Sequence, residues 1–111
     1  MVWNNNFNKT VSVIGGAGRQ LLALLAANGY SERENSLIGV ELTLSTPSGQ
    51  SLFIGSTSDV TDSGATKGFE MAAGSYDTQR ATGKDGDVID PALVWIYLAT
   101  DDAVGIRFRA L

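Results

Sequence analysis

The segment GVELTLS, at residues 39–45, alternates apolar and polar side chains, and it constrains the fold more than any other part of this chain. Val40, Leu42 and Leu44 fall on one face of an extended segment, and polar residues fall on the other. A period of two is that of a β-strand with one buried and one solvated face. We therefore expect antiparallel sheet structure here.

A tight turn follows this strand. TPSG, at residues 46–49, has proline at the second position and glycine at the fourth, as a type I turn prefers. The chain then returns as the apolar SLFIG, residues 51–55. This order predicts an antiparallel hairpin between the two segments.

Further short strands are indicated elsewhere in the chain, and one amphipathic helix is expected from Arg19 to Asn28, with Gly29 as its cap. The expected strands cover residues 9–14, 69–71, 76–80, 93–99 and 105–111, the last with Ile106 and Phe108 inward. Six or seven short strands with one early helix predict a mainly β fold: a small antiparallel β-sandwich or barrel with one short helix near the N-terminus. We expect an N-terminal arm at residues 1–8 and a single β-sandwich domain at residues 9–111.

Two pairs of aromatic residues are candidate interface residues. Trp3 and Phe7 stand in the asparagine-rich arm, and they either pack on this domain's own core or dock on a neighbouring subunit, where aromatic anchors are preferred. Trp95 and Tyr97 share one face of the apolar strand LVWIYLA, which we expect to be central and covered on both faces. They fill the core or a subunit interface, or they stack on a sugar.

The stretch VIGGAG, which precedes the helix, imitates a dinucleotide fingerprint. Gly15 and Gly18 have the spacing of its first two glycines, but the third position is Leu21. A dinucleotide-binding unit also requires a crossover helix and an acidic residue at the end of its second strand, whereas a hairpin is expected here. A phosphate loop is excluded as well, because no Gly-Lys-Ser/Thr follows the glycines. These glycines are therefore interpreted as turn residues, and no cofactor is expected.

The chain contains no histidine and no cysteine, which excludes thiol nucleophiles, disulfides and histidine-based acid–base or metal chemistry. No pair of carboxylates is distinguished as a general acid and base. Asp85, Asp87 and Asp90 form the densest acidic group, but their spacing matches no EF-hand. They indicate a solvated turn, with a structural cation site as the alternative. We expect neither catalytic residues nor metal ligands, and a protein that is not an enzyme.

The net charge of −4 and the eight scattered basic residues argue against binding to nucleic acid or to an anionic membrane. The segment MVWNNNFNKT has no basic stretch followed by an apolar run, and no segment reaches the ~18 apolar residues that span a bilayer. We expect synthesis in the cytoplasm.

The order of features from the helix onward resembles small virion structural proteins of tailed bacteriophages. The resemblance rests on FIGSTSDVT at residues 53–61, on Gly68, on AAG at residues 72–74 and on WIYLATDD at residues 95–102. It implies a compact β-sandwich that decorates or completes the phage head, or forms an accessory part of the tail. It also implies a homo-oligomer made in the host cytoplasm and located in the virion.

Two functions follow as hypotheses. The first is a non-enzymatic head decoration or cement protein that stabilises the capsid by contacts between subunits and whose partners are other virion proteins, the major capsid protein first among them. Trp3, Phe7, Trp95 and Tyr97 are then the expected interface residues. The alternative is a tail- or fibre-associated module for host recognition or carbohydrate binding, which uses the loops at residues 56–67 and 81–87.

Overall fold

The computed structural model describes residues 7–30 and 38–111. These residues form eight strands, one α-helix and three 3-10 turns. The strands are β1 (Phe7–Val13), β2 (Arg19–Gln20), β3 (Val40–Ser45), β4 (Leu52–Gly55), β5 (Phe69–Met71), β6 (Tyr76–Ala81), β7 (Trp95–Tyr97) and β8 (Asp102–Ala110), the helix α1 is Leu21–Ala27, and the 3-10 turns are Gly64–Thr66, Lys84–Gly86 and Pro91–Leu93.

The strands are divided between two four-stranded sheets. The first sheet has the order β1-β8-β3-β6 and the second has the order β2-β7-β4-β5, with every strand pair antiparallel. The apolar inner faces of the two sheets enclose one core. The predicted mainly β sandwich with one short helix is therefore confirmed.

The core draws on both sheets and on the helix. An aromatic cluster closes one end, where Phe7 stacks on Phe108 at 5.4 Å between ring centroids and Tyr30 meets Phe108 edge-on at 5.2 Å. Leu21 and Leu25 are the two fully buried residues of α1. The other members of this core cluster are Val11, Val13, Val40, Leu42, Leu44, Leu52, Met71, Ala81, Ile96, Leu98, Val104 and Ile106.

The predicted hairpin between β3 and β4 is wrong. β3 pairs with β6 and β8 in the first sheet, whereas β4 pairs with β5 and β7 in the second. Leu52 and Phe53, which are neighbours in β4, are both buried. A hairpin on β3 would place one of these two side chains on the solvated face of the first sheet, so β4 crosses to the other sheet instead.

The connection in which the chain crosses from β3 to β4 lies against the connection between β5 and β6, which also crosses between the sheets. Together the two connections form a corner of the sandwich. The Thr46 amide donates to the Ser75 carbonyl at 2.9 Å, and the Gly74 amide donates to the Pro47 carbonyl at 2.8 Å. The Thr46 hydroxyl also donates to the Ala72 carbonyl at 2.8 Å. The segment from β3 to β4 thus bends from the first sheet into the second, and the segment from β5 to β6 bends back beside it. As a result, β5 and β6 are the edge strands on the same side of the sandwich.

Several boundaries differ from expectation. β1 begins at Phe7, two positions before the strand expected from Lys9, because Phe7 belongs to the alternation of core residues. Arg19 and Gln20, expected in the helix, pair with β7, and α1 begins where the Leu21 amide donates to the Val94 carbonyl at 2.8 Å. Gly29, with φ +91, follows the helix as the expected left-handed glycine.

The last strand has the expected inward residues but runs from Asp102 to Ala110 rather than over residues 105–111, and the central strand is shorter than expected, Trp95–Tyr97, and covered fully on one face only. Ile106 and Phe108 of β8 are buried, and the arginines between and after them are exposed. β7 lies between β2 and β4, as expected for a central strand. Within the described residues, the structure contains no helix of the length and apolar character needed to cross a membrane.

Candidate functional site

A groove opens between the two sheets along the side formed by β5 and β6. It has a volume of about 590 Å³. Its apolar lining consists of Leu42, Leu44, Ile54, Phe69, Val88, Ile89 and Val94. Phe69 lies opposite Ile54 in the β4–β5 register, yet its side chain is 65% exposed. The groove is therefore an accessible continuation of the hydrophobic core.

Polar residues on β6 keep this side open. Asp77 and Gln79 occupy the inward positions of β6, opposite Leu44 and Leu42. The Gln79 amide nitrogen donates to the Asp77 carboxylate at 3.0 Å. Because these polar side chains stand where the other strands carry apolar ones, the two sheets cannot close on a dry contact here. Inward-pointing charge on an edge strand also opposes indiscriminate edge-to-edge pairing of sheets.

Asp87 stands at the rim of the groove in the turn that follows β6. Its carboxylate accepts hydrogen bonds from the Thr82 amide at 3.1 Å and from the Thr82 hydroxyl at 2.9 Å. The backbone hydrogen bond from Thr82, followed by the hydroxyl, lowers the pKa of Asp87 below its ordinary value. The carboxylate remains fully exposed, so the rim carries a negative charge at neutral pH.

The three aspartates singled out in the sequence do not converge on one point. Asp87 is held by Thr82, Asp90 accepts from the Ala92 amide at 3.0 Å to begin a 3-10 turn, and Asp85 adopts a positive φ of 53°. Over residues 7–30 and 38–111, no three His, Cys, Asp or Glu side chains are grouped so as to hold a metal ion. The aspartates thus serve the local turns.

The glycines of VIGGAG have a packing role. A Cβ on Gly15 would lie 2.3 Å from the Thr100 carbonyl carbon, and one on Gly18 would lie 2.5 Å from the Ser58 carbonyl oxygen. The segment leads into β2, which separates it from the helix. The glycines therefore admit neighbouring backbone, in agreement with their interpretation as turn residues.

The loop at residues 56–67, assigned to glycan binding in the alternative hypothesis, folds around a single apolar side chain. Val60 is 4% exposed, and a Cβ on Gly55 or Gly68 would lie 2.8 or 2.6 Å from it. Thr61 and Lys67 form a bridge that closes the loop. The hollow beside it, about 380 Å³, is lined mostly by small and polar residues of this loop.

A second polar surface lies on the outer face of the first sheet. A hollow of about 470 Å³ surrounds Gly105 and is lined in part by Asn8, Thr10, Ser45 and Arg107. Tyr76 stands beside this hollow and is 74% exposed. An exposed aromatic ring beside hydrogen-bonding groups has the composition of a sugar-binding platform.

The four predicted interface residues are not brought together in one place. Trp3 lies outside the described residues. Phe7 is buried in the aromatic cluster. Of the two alternatives for this residue, the structure therefore shows packing on the domain's own core. Trp95 and Tyr97 lie half-buried on the face of β7 opposite the buried Ile96, with the Tyr97 ring 6.4 Å from that of Phe53.

The groove was missed by the sequence reasoning. The signal that could have indicated it is YDTQR, residues 76–80, a strand with polar side chains on both faces. Such a strand lies at a sheet edge, and the apolar residues opposite it are left partly uncovered.

Searches against protein-family models, curated proteins and solved structures find no match to this chain.

Proposed function

We propose that this chain is a non-enzymatic structural protein of a bacteriophage particle that decorates the head and stabilises the capsid through contacts between subunits. The observation that carries the proposal is the apolar groove between β5 and β6. A monomer that leaves Phe69 65% exposed beside a groove of about 590 Å³ keeps apolar surface available for a partner. Contiguous apolar surface with a polar rim is typical of a protein–protein contact.

The resemblance in FIGSTSDVT and WIYLATDD supports the phage assignment of this contact. The lack of histidine and cysteine agrees with an adhesive role, in which buried area and many symmetric copies supply the binding energy. The proposed partners are other copies of the chain and the major capsid protein.

The first experiment is a measurement of copy number in purified particles from the protein's source by quantitative mass spectrometry. Hundreds of copies per particle are expected for a head decoration protein. A handful of copies would indicate a tail or vertex component instead. Absence from the particles would overturn the virion assignment.

A second candidate function, carbohydrate binding at a tail or fibre, is favoured by the platform at Tyr76. Its ring and the Arg107 guanidinium border the same hollow. A glycan array would show binding that Tyr76→Ala abolishes and that Phe69→Glu, outside the lining of this hollow, leaves intact. An array without any bound sugar would remove this candidate and leave the decoration role unaffected.

A further inference from the structure

The edge of the first sheet at β6 carries backbone groups that no described strand pairs. Within residues 7–30 and 38–111, β6 is hydrogen-bonded to β3 alone. The Thr46 amide donates to the Ser75 carbonyl at 2.9 Å, so these two opposed residues are a hydrogen-bonded pair that continues the β3–β6 ladder. Such pairs alternate with non-hydrogen-bonded pairs in an antiparallel ladder. Asp77 and Gln79 therefore also direct their backbone groups at β3.

The alternate residues Tyr76, Thr78 and Arg80 direct their N–H and C=O groups away from β3. The Thr43 and Thr78 hydroxyls lie 3.0 Å apart, in agreement with the closer side chains of a non-hydrogen-bonded pair. The Tyr76 and Arg80 side chains are exposed. Outward N–H and C=O groups along a sheet edge are a template for a further strand. The β6 edge is therefore a pairing surface.

The sequence of β6 is complementary to itself. Read antiparallel about Thr78, YDTQR of one copy sets Tyr76 against Arg80 of a second copy, and the ring can contact the guanidinium. The same register sets Asp77 against Gln79 of the second copy. The Gln79 amide has a second N–H for this carboxylate, beyond the one that it donates to its own Asp77 at 3.0 Å. Because outward residues oppose outward residues, the register gives about six backbone hydrogen bonds.

The neighbouring registers are disfavoured by charge and by the direction of the side chains. A slip of one residue sets inward residues of one copy against outward residues of the other. A two-fold axis at Asp77 would set this carboxylate against itself, and like charges directly opposite are destabilising. An axis at Gln79 would set Asp77 against Ala81, which has no side-chain donor. The inward Asp77 therefore selects the register centred on Thr78.

The strand β1 is the other edge of the same sheet and is less suited to this contact. Lys9 of β1 shares the inward side with the buried Val11, so a head-to-tail contact of β1 with β6 would set Lys9 against Asp77. The Lys9 ammonium is already engaged, since it donates to the Asn28 carbonyl at 2.6 Å and lies 5.8 Å from the centre of the Phe7 ring. The pairing of β6 with itself is therefore favoured.

Pairing of β6 with itself also covers the apolar groove. A two-fold axis perpendicular to the first sheet keeps the inner faces of both copies on the same side, so their β5 edges face each other. The exposed Phe69 and Val88 lie along this side of the sandwich. One contact thus uses both the outward backbone groups of β6 and the exposed apolar surface.

We propose that two copies of this chain pair β6 with β6, antiparallel about a two-fold axis at Thr78, in a closed dimer whose first sheets are continuous. An isologous contact occupies the same edge of both copies, so this association stops at two. The inference names the partner of the apolar side in the assembly role proposed above and rests on that role.

The first test changes the charge at Gln79, which is exposed and outside the core cluster. Gln79→Glu places like charges opposite Asp77 at two symmetric positions and is expected to raise the Kd of the dimer about tenfold. Gln79→Lys places opposite charges there and is expected to lower the Kd. Analytical ultracentrifugation over a dilution series measures each Kd, and circular dichroism shows that each variant is folded.

The matched controls are Ser12→Glu and Ser12→Lys, which make the same changes in net charge at an exposed position of β1. Both are expected to leave the Kd of the dimer unchanged. A natural chain that is monomeric at every concentration overturns the inference. So do Ser12 variants that shift the Kd as much as the Gln79 variants, because net charge alone would then explain the effect.

The register is tested separately in the cysteine-free chain. Thr78→Cys is expected to give a disulfide-linked dimer under mild oxidation, since opposed residues of a hydrogen-bonded pair have Cα atoms about 5.5 Å apart, within the range of a disulfide. Tyr76→Cys alone is expected to give little, but mixed with Arg80→Cys it is expected to link unlike chains. Thr10→Cys on β1 is the control. Linkage of Thr10→Cys as readily as Thr78→Cys overturns the inference.

These outcomes are separable from the proposed function. A chain that is monomeric in solution at every concentration and present in hundreds of copies per particle would overturn the β6 dimer and retain the decoration role. A chain that forms the dimer linked through Thr78→Cys and is absent from the particles would retain the dimer and remove the decoration role.

Discussion

Gly18 and Ser58 approach each other so closely that a Cβ added to Gly18 would lie 2.5 Å from the Ser58 carbonyl oxygen. The atom it would meet is backbone, which cannot move aside as a flexible side chain can. The contact joins the glycine-rich turn after β1 to the loop at residues 56–67, two segments far apart in sequence. It shows why a stretch that imitates a nucleotide fingerprint is rich in glycine.

Gly18→Ala is expected to destabilise the fold by about 1–3 kcal/mol through overpacking. Gly49→Ala is the matched control, since a Cβ there meets nothing within 4 Å. Urea denaturation followed by circular dichroism measures both free energies of unfolding. Equal stability of the two variants would show that the loop at residues 56–67 does not bear on Gly18 in solution.

The alternation of short strands made the fold class predictable, but the pairing partner of each strand was not predictable. The composition of TPSG suits a hairpin turn, whereas its backbone hydrogen bonds are made with Gly74 and Ser75. Sequence periodicity states which face of a strand is buried and carries no information on which sheet buries it. The clue that was available was the pair Leu52 and Phe53, which needs cover on both faces of β4.

Phe108→Ala is expected to cost about 3–5 kcal/mol, because it leaves a cavity between Phe7 and Tyr30 at the closed end of the core. Phe69→Ala removes the same side chain from a position that is 65% exposed, and about 0.5 kcal/mol is expected there. Both are measured by chemical denaturation at a concentration at which the chain is monomeric. Comparable losses would contradict the division between the packed and the open side of the sandwich.

The candidate site was less predictable than the fold, for a physical reason. In the sequence, Phe7 and Trp3 are both aromatic residues of a polar segment, and nothing local distinguishes them. The register of β1 on β8 shows that Phe7 packs in the core. The groove depends on Phe69 of β5 and Val88 of the connection between β6 and β7 lying on one surface, which no local pattern encodes.

Gln50 connects the corner after β3 with the turn between β7 and β8. Its amide nitrogen donates to the Thr100 hydroxyl at 2.9 Å and to the Asp102 carboxylate at 3.1 Å, and its amide oxygen accepts from the Ala99 amide at 3.1 Å. Gln50→Ala is expected to lower the free energy of unfolding by about 1–2 kcal/mol through the loss of these bonds.

Ser48→Ala, at an exposed position of the same connection, is the control for the Gln50 variant and is expected to change stability little. Thermal unfolding monitored by circular dichroism distinguishes the two. A Gln50→Ala melting curve that overlays that of the natural chain would show that the two connections are held by the backbone bonds alone.

Asp87 contributes to the loss of folding stability at acidic pH. Its pKa is lowered in the folded chain by the Thr82 amide and hydroxyl, relative to the ordinary value of 3.8. A carboxyl with a lowered folded pKa stabilises the fold above the unfolded value, and this contribution is lost as the pH falls through the folded value. The hydroxyl of Thr82 can be tested separately from its amide. Thr82→Val removes the hydroxyl and keeps the amide, so the pKa of Asp87 is expected to rise toward 3.8 without reaching it. NMR titration of the Asp87 carboxyl carbon measures this, with Thr66→Val as the control remote from the turn. A natural-chain Asp87 that titrates at or above 3.8 would contradict the hydrogen bonds from Thr82.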